Sequence, residues 1–204
     1  MRCFAILFLL LSAPAAAEQP LPPSSPAAAY SIGPNSSASY EAYAKVFFLV
    51  PNTIGGTSGK VTGTISLDGA VNGRVIIDAA SFTSGIDRRD AHIREILQTG
   101  TYPTIVFNLI AIEPLSPSDP STFTGEKTVR GALTIRGVTR DVSFPVTINL
   151  EGMSLVIDGA VEVKYTDFGM EPPTLGGIVK RADDRLLLKA HLAAYPEREA
   201  SGNE

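Results

Sequence analysis

His92 has acidic neighbours on both sides, Asp87, Asp90 and Glu95, and four such side chains on one short segment could hold a metal ion or move a proton. The spacing argues otherwise. A zinc-protease helix presents two His one helical turn apart with a Glu after the first, whereas His92-Ile93-Arg94-Glu95-Ile96 offers a single His. Helix capping and surface charge account for the cluster more simply. His191 lies beside Leu192 in an alternating stretch and is expected to point outward with Lys189. Asp183-Asp184 and Asp167 could form a carboxylate pair for acid–base work, yet turn and strand-entry roles explain them more cheaply. Serines are plentiful, but no Gly-x-Ser-x-Gly elbow occurs and only two His exist as bases. The Gly-rich turns lead into strands, not helices, so a phosphate loop is not expected either.

The His92 cluster belongs to a stretch, Arg88 to Asn108, in which a charged helix pattern runs straight into a Tyr-Pro strand. Asp87 is placed to cap the helix start, Asp90 sits where the helix dipole favours an acid, and Gly100 supplies a left-handed stop. Ile93, Ile96 and Leu97 form one narrow apolar stripe, with Arg88, Arg89, Arg94 and Glu95 mostly off it. Pro103 then opens a strand with Ile105, Phe107 and Leu109 on one side and Thr104, Val106 and Asn108 on the other. A helix tied this closely to a strand, in a chain otherwise made of strands, suits a plug for one end or a wall for a cavity.

Elsewhere period two dominates. Val61, Gly63, Ile65 and Leu67 interleave with Thr62, Thr64, Ser66 and Asp68, and Val142, Phe144, Val146 and Ile148 interleave with Ser143, Pro145, Thr147 and Asn149. The pattern predicts about eight strands, near 39–50, 60–68, 71–79, 103–112, 127–136, 140–150, 155–164 and 185–194. Short connections such as Asp68-Gly69 and Arg136-Gly137 make sequential antiparallel pairing the default. Two loops, Glu113 to Lys127 and Gly169 to Asp184, are long enough to expect function or disorder. Such strands close into a barrel or split into a sandwich, and periodicity does not separate the two. The chain has no Trp and a single Cys, which disfavours an immunoglobulin-type sandwich. The expected fold class is therefore all-β, an eight-stranded antiparallel barrel with one short helix.

The N-terminal end bounds the domain and its compartment. Phe4 to Leu11 is apolar, follows Arg2 and precedes the small residues Ala15 and Ala17, the pattern of a secretory signal peptide cleaved after Ala17. A membrane anchor needs about 20 apolar residues, more than this run contains. Cys3 would leave with the leader, so disulfides, thiolate catalysis and Cys-bound metals are not expected in the mature protein. Residues 1–17 are thus read as leader, 18–29 as a Pro/Ala/Ser-rich linker, 30–196 as one domain and 197–204 as a solvated tail. A periplasmic or secreted location follows. The formal charge is −4, and loss of Arg2 makes the chain more acidic still, unlike a nucleic-acid surface.

Thirteen apolar positions are expected to face the barrel interior: Phe47, Leu49, Ile65, Val75, Ile77, Phe82, Ile105, Phe107, Leu133, Ile135, Phe144, Val146 and Phe168. In a small barrel core and cavity lining are the same surface, so each could be packing or ligand contact. Ile93, Ile96, Leu97 and Tyr102 could cover one side or end, with the Tyr102 hydroxyl available to a polar group.

Taken in order, several stretches resemble the YceI-like family of bacterial lipid-binding proteins. They are Tyr30-Ser31-Ile32, Gly59-Lys60-Val61-Thr62-Gly63, Arg89-Asp90-Ala91-His92-Ile93, Tyr102-Pro103-Thr104-Ile105-Val106-Phe107, the run Val129 to Arg140, and Asp167-Phe168-Gly169. The resemblance implies an extended lipocalin-like barrel whose interior holds the isoprenoid tail of a polyprenyl or quinone-type lipid. Two departures stand out. Asn35-Ser36-Ser37-Ala38 occupies the place where the family often has a His-Ser pair, and Asn52 to Gly59, with Gly55-Gly56, reads as a longer turn. Burying about ten tail carbons at roughly 0.8 kcal/mol each gives on the order of 8 kcal/mol before entropy losses, so useful affinity calls for a longer chain.

The leading expectation is an exported, non-enzymatic protein that carries or sequesters an isoprenoid lipid, without cofactor or metal. Expected partners are that lipid and, transiently, a membrane; a homodimer stays open. The first alternative is an enzyme acting on such a lipid through His92, Asp90 or Asp167. The second is a barrel used only for contacts with other proteins.

Overall fold

Alternation of apolar and polar residues becomes a set of long, strongly paired strands. The computed structural model describes residues 29–46, 50–67, 70–116, 120–173 and 183–197. These residues form β1 (Ala29–Ile32), β2 (Ser37–Val46), β3 (Val50–Ser58), β4 (Val61–Ser66), β5 (Asn72–Asp78), β6 (Thr104–Glu113), β7 (Gly125–Ile135), β8 (Val138–Glu151), β9 (Ser154–Lys164) and β10 (Arg185–Pro196). One α-helix, α1 (Asp87–Leu97), joins β5 to β6.

Every ladder is antiparallel, and the order β1-β4-β5-β6-β7-β8-β9-β10 closes when β1 returns to β10. Tyr30, with no exposed surface, stands opposite Ile65 on one side and Pro196 on the other. This eight-strand closure decides for the barrel over the sandwich. At the β4–β5 ladder the backbones approach so closely that a Cβ on Gly63 would lie 1.9 Å from the Arg74 carbonyl oxygen. Gly63 also holds φ +151°, so no other residue suits the position.

The hairpin β2–β3 extends the wall beyond the closed ring, β2 running along β10 from His191↔Ser37 to Leu186↔Ala42. Here the sequence expectation is corrected. The single strand expected over 39–50 ends with β2 at Val46, and the segment 52–59 expected as a turn is mostly strand β3. Gly55 and Gly56 serve packing: a Cβ on Gly55 would sit 2.7 Å from the Tyr40 carbonyl oxygen, and one on Gly56 would sit 2.8 Å from the Tyr40 ring. Close approach across a ladder uses the same residue that marks a turn.

Three irregularities shape the wall. A bulge between Leu109 and Ala111 shifts the β6 register, so inward parity passes from Ile105, Phe107 and Leu109 to Ile112. Arg136 (φ 51°) and Gly137 (φ 74°) turn β7 into β8 with positive φ at both central residues, the twist a two-residue hairpin requires. The β8–β9 ladder runs from Glu151↔Ser154 to Val146↔Gly159 and stops there, while β7–β8 continues through Thr128↔Pro145 to Ile135↔Val138. Pro145 has no N–H to donate, so β8 keeps β7 and releases β9 at that residue.

Helix α1 starts at Asp87 with Ile86 in the cap position and no side-chain cap. Asp87 is therefore not the cap. Asp90 instead reaches back, accepting hydrogen bonds from the Thr83 hydroxyl at 2.7 Å and from the Ser84 N–H and hydroxyl at 2.8 and 2.6 Å. The left-handed stop expected at Gly100 is Gln98 (φ 50°), whose N–H reaches the Arg94 and Glu95 carbonyls. With its caps displaced by a residue or two, α1 still buries Ile93 and Leu97 against the helix end of the barrel.

Candidate binding cavity

Inward-facing side chains leave a cavity along the barrel axis. Its volume is about 130 Å³. Its walls come from β2 and from β4 through β10, and they are almost wholly apolar. Ser39 and Lys189 line it along strands whose neighbours point inward; the Lys189 ammonium is paired outside with Glu41. Phe107 and Phe144 meet at 5.6 Å with planes 57° apart, and each ring rests over a glycine. A Cβ on Gly131 would lie 2.5 Å from the Phe107 ring, and one on Gly159 would lie 3.3 Å from that of Phe144. Large rings over absent side chains fill part of the interior and leave an irregular channel beside them.

Of the residues expected to face inward, Ile65, Val75, Ile77, Phe82, Ile105, Phe107, Leu133, Phe144 and Val146 line this cavity. Ile135 joins Ile93, Ile96 and Leu97 around a smaller chamber under α1, which shares Phe82, Ile105 and Leu188 with the main one. Two expected cavity contacts are not found. Tyr102 lines neither chamber; its ring covers Gly137, where a Cβ would come within 2.6 Å. Phe168 is buried in the hydrophobic core, 1% exposed, as the packing alternative had it, but from a 3-10 turn, Thr166–Phe168, it lines neither chamber and borders an outer groove with Arg140 and Glu162. Phe47 and Leu49 lie outside the described residues.

Other walls were not anticipated: Leu109, Ile112, Val129, Val142, Ile148, Ile157, Val161, Leu188 and Leu192. Alternation alone could have found Leu109, Val142 and Ile148, which continue runs already read as inward. Ile112 is hidden by the bulge, and β10 carries the unbroken apolar run Leu186-Leu187-Leu188, in which period two is not visible.

The chamber under α1 is lined by two tyrosines, Tyr40 and Tyr165. The Tyr165 hydroxyl is buried and finds no hydrogen-bond partner among the described residues. Burial, and then the neighbouring Tyr40, push its pKa well above the ordinary phenol value. Burial also raises Tyr40, followed by the charge of Asp90.

The groups weighed for chemistry all face away from the main cavity. His92 pairs with Glu95 at 3.5 Å on the exposed helix face, and His191 meets Asp158 at 2.7 Å outside the barrel. Asp90 is held below the usual carboxylate range, chiefly by its hydrogen bonds from Ser84 and Thr83. Asp184 accepts from Thr166, Asp183 engages Arg185, and Asp167 faces the outer groove, as turn and strand-entry roles require. Among the described residues no group of three or more His, Cys, Asp or Glu could hold a metal ion. No helix there is long and apolar enough to cross a membrane.

A closed antiparallel barrel of eight strands around a greasy axial cavity defines the calyx class of β proteins. Within that class the chain belongs to the YceI-like family, whose domain model matches residues 30–194. No curated protein matches it in sequence. Among solved structures it is similar to Burkholderia cenocepacia BcnA, at 25% identity and a TM-score of 0.61, over 78% of this chain and 95% of that one. A polyisoprenoid-binding domain from Saccharophagus degradans, implicated in plant cell wall breakdown, is similar at 16% identity and a TM-score of 0.64, over 84% and 99%. The Campylobacter jejuni YCEI protein is similar at 19% identity and a TM-score of 0.58, over 76% and 91%.

Proposed function

We propose that this protein is an exported, non-enzymatic binding protein that takes the isoprenoid tail of a polyprenyl or quinone-type lipid into its barrel. The observation that carries the reading is the apolar axial cavity, walled by strands from nearly the full circumference. Membership of the YceI-like family and similarity to a polyisoprenoid-binding domain support the same ligand class. Placement of His92, Asp90 and Asp167 away from the main cavity supports binding over turnover.

The driving force is desolvation. A branched hydrocarbon chain leaves water or a bilayer surface for a dry cavity, gaining roughly 25 cal/mol for each Å² of apolar area removed from water. The Phe107 and Phe144 rings occupy part of the interior, which favours a thin, flexible tail over a fused-ring lipid. The leader pattern of residues 1–17 supports a periplasmic or secreted site of action.

The test is mass spectrometry of organic extracts from protein purified without detergent from the periplasm, beside a control protein. A stoichiometric polyprenyl or quinone species is expected. A clean extract, combined with no binding of added isoprenoids, would overturn the reading in favour of a protein-contact role.

A further inference from the structure

The β8–β9 ladder ends at Val146↔Gly159, although both strands continue toward the helix end: residues 138–145 pair only with β7, and residues 160–164 only with β10. A slot is left in the wall. Its upper limit is set by Pro145 and Gly159, and its lower end by the 3-10 turn Thr166–Phe168. Arg136 of the β7–β8 turn fixes that lower end by donating to the Gly169 carbonyl at 2.8 Å.

Val142 and Val161 flank the slot, and both line the axial cavity on one side and an outer groove on the other. The groove is polar where the cavity is greasy: Arg140, Asp141, Ser143, Glu162 and Asp167 rim it. Three carboxylates thus face one guanidinium. Arg185 offers little to this balance, lying 4.0 Å from Glu162 while engaged by Asp183 at 3.1 Å.

Resting on the lipid-binding reading above, we infer that the β8–β9 slot is the side door through which the tail enters. The polar head stays in the outer groove, whose acidic rim selects uncharged heads, such as an alcohol or quinone, over phosphates. A wall held by backbone hydrogen bonds would have to break several of them to pass a chain laterally. A wall already parted at Pro145 needs only side-chain movement at Val142 and Val161. Continuation of the β8–β9 register would set Ser143 opposite Glu162, both exposed.

The experiment uses a Cys3→Ser background carrying Ser143→Cys with Glu162→Cys, bridged by a short bis-maleimide. A control bridge joins Thr64→Cys to Arg74→Cys, which already face one another across the β4–β5 ladder. Uptake of a fluorescent farnesol analogue is followed by stopped flow. Bridging the slot is expected to slow uptake about tenfold or more while the control bridge leaves it unchanged. Glu162→Trp, which crowds the slot from its outer face without filling the cavity or needing chemical modification, is held to the same outcome. Equal rates with and without the slot bridge would overturn the side door. Failure of the unbridged protein to bind the analogue at all would overturn the lipid-binding reading and this inference with it. In competition, farnesyl diphosphate should be at least about tenfold weaker than farnesol, with the difference narrowing as salt rises; equal competition would overturn the head-group selection.

Discussion

Asp90 shows how a residue chosen for possible chemistry can serve structure instead. Its carboxylate gathers Thr83 and Ser84 and ties the segment before α1 to the helix. Those hydrogen bonds favour the charged form, so its pKa in the folded protein lies below the roughly 3.9 of an unfolded chain. The resulting stabilisation is complete above the unfolded value and is lost as pH falls through the lowered one. Thermal melts across acidic pH should therefore show Asp90→Asn melting below the parent at neutral pH, with the gap closing on acidification. A pH-independent gap would assign the loss to packing. Tyr165 makes the complementary case. Its hydroxyl is buried without a partner, so Tyr165→Phe should leave stability in urea within about 1 kcal/mol of the parent or raise it. A loss above about 2 kcal/mol would reveal a bonded hydroxyl. Surface charge around His92 was legible in the sequence, but the tie made by Asp90 was not, because Thr83 and Ser84 reach it only once the chain turns before α1.

Alternation located most of the strands and about half of the bulky apolar wall residues, and its failures have particular causes. Gly55 and Gly56 looked like a turn because glycine marks both a reversal and a close approach, and only the Tyr40 backbone and ring beside them tell which applies. Ile112 escaped because one bulge reverses parity. Tyr102 was expected over one side or end of the cavity and Phe168 in the interior; the first covers Gly137 and the second is buried at the foot of the β8–β9 slot, neither of them lining a chamber. The Arg136–Gly169 hydrogen bond fastens that foot. Arg136→Met keeps the aliphatic length and removes the donors. It should reduce amide exchange protection at Phe168, Gly169 and Met170 while costing less than about 1 kcal/mol in global stability, since the bond is exposed. Unchanged protection would show that the turn is held by Phe168 packing alone.

The cavity belongs to the barrel as one object, since its walls come from strands widely separated in the chain. Its capacity should respond to volume anywhere on the wall. Leu133→Trp fills it from β7 and is expected to weaken isoprenoid binding about tenfold, near 1.4 kcal/mol, with the fold retained. Tyr102→Phe, at the Gly137 turn, should leave titrations with the same ligand unchanged. Equal effects from both would separate binding from the cavity. The existence of a greasy interior was legible from period two and from the family resemblance. The parted β8–β9 ladder was not, although Pro145 stood in plain sight, because a proline in an alternating run does not say which neighbour it will fail.

The seam between β1 and β10 joins Tyr30 to Pro196, positions near opposite ends of the described chain. Pairs so distant in sequence are slow to form, since the intervening chain must first give up its freedom. Until Arg185–Pro196 has emerged and found β1, the molecule is an open, one-sidedly greasy sheet with two bare edges, prone to stick to its own kind. A tail cannot be enclosed during synthesis, strand by strand. The barrel acquires an inside only when its last strand arrives.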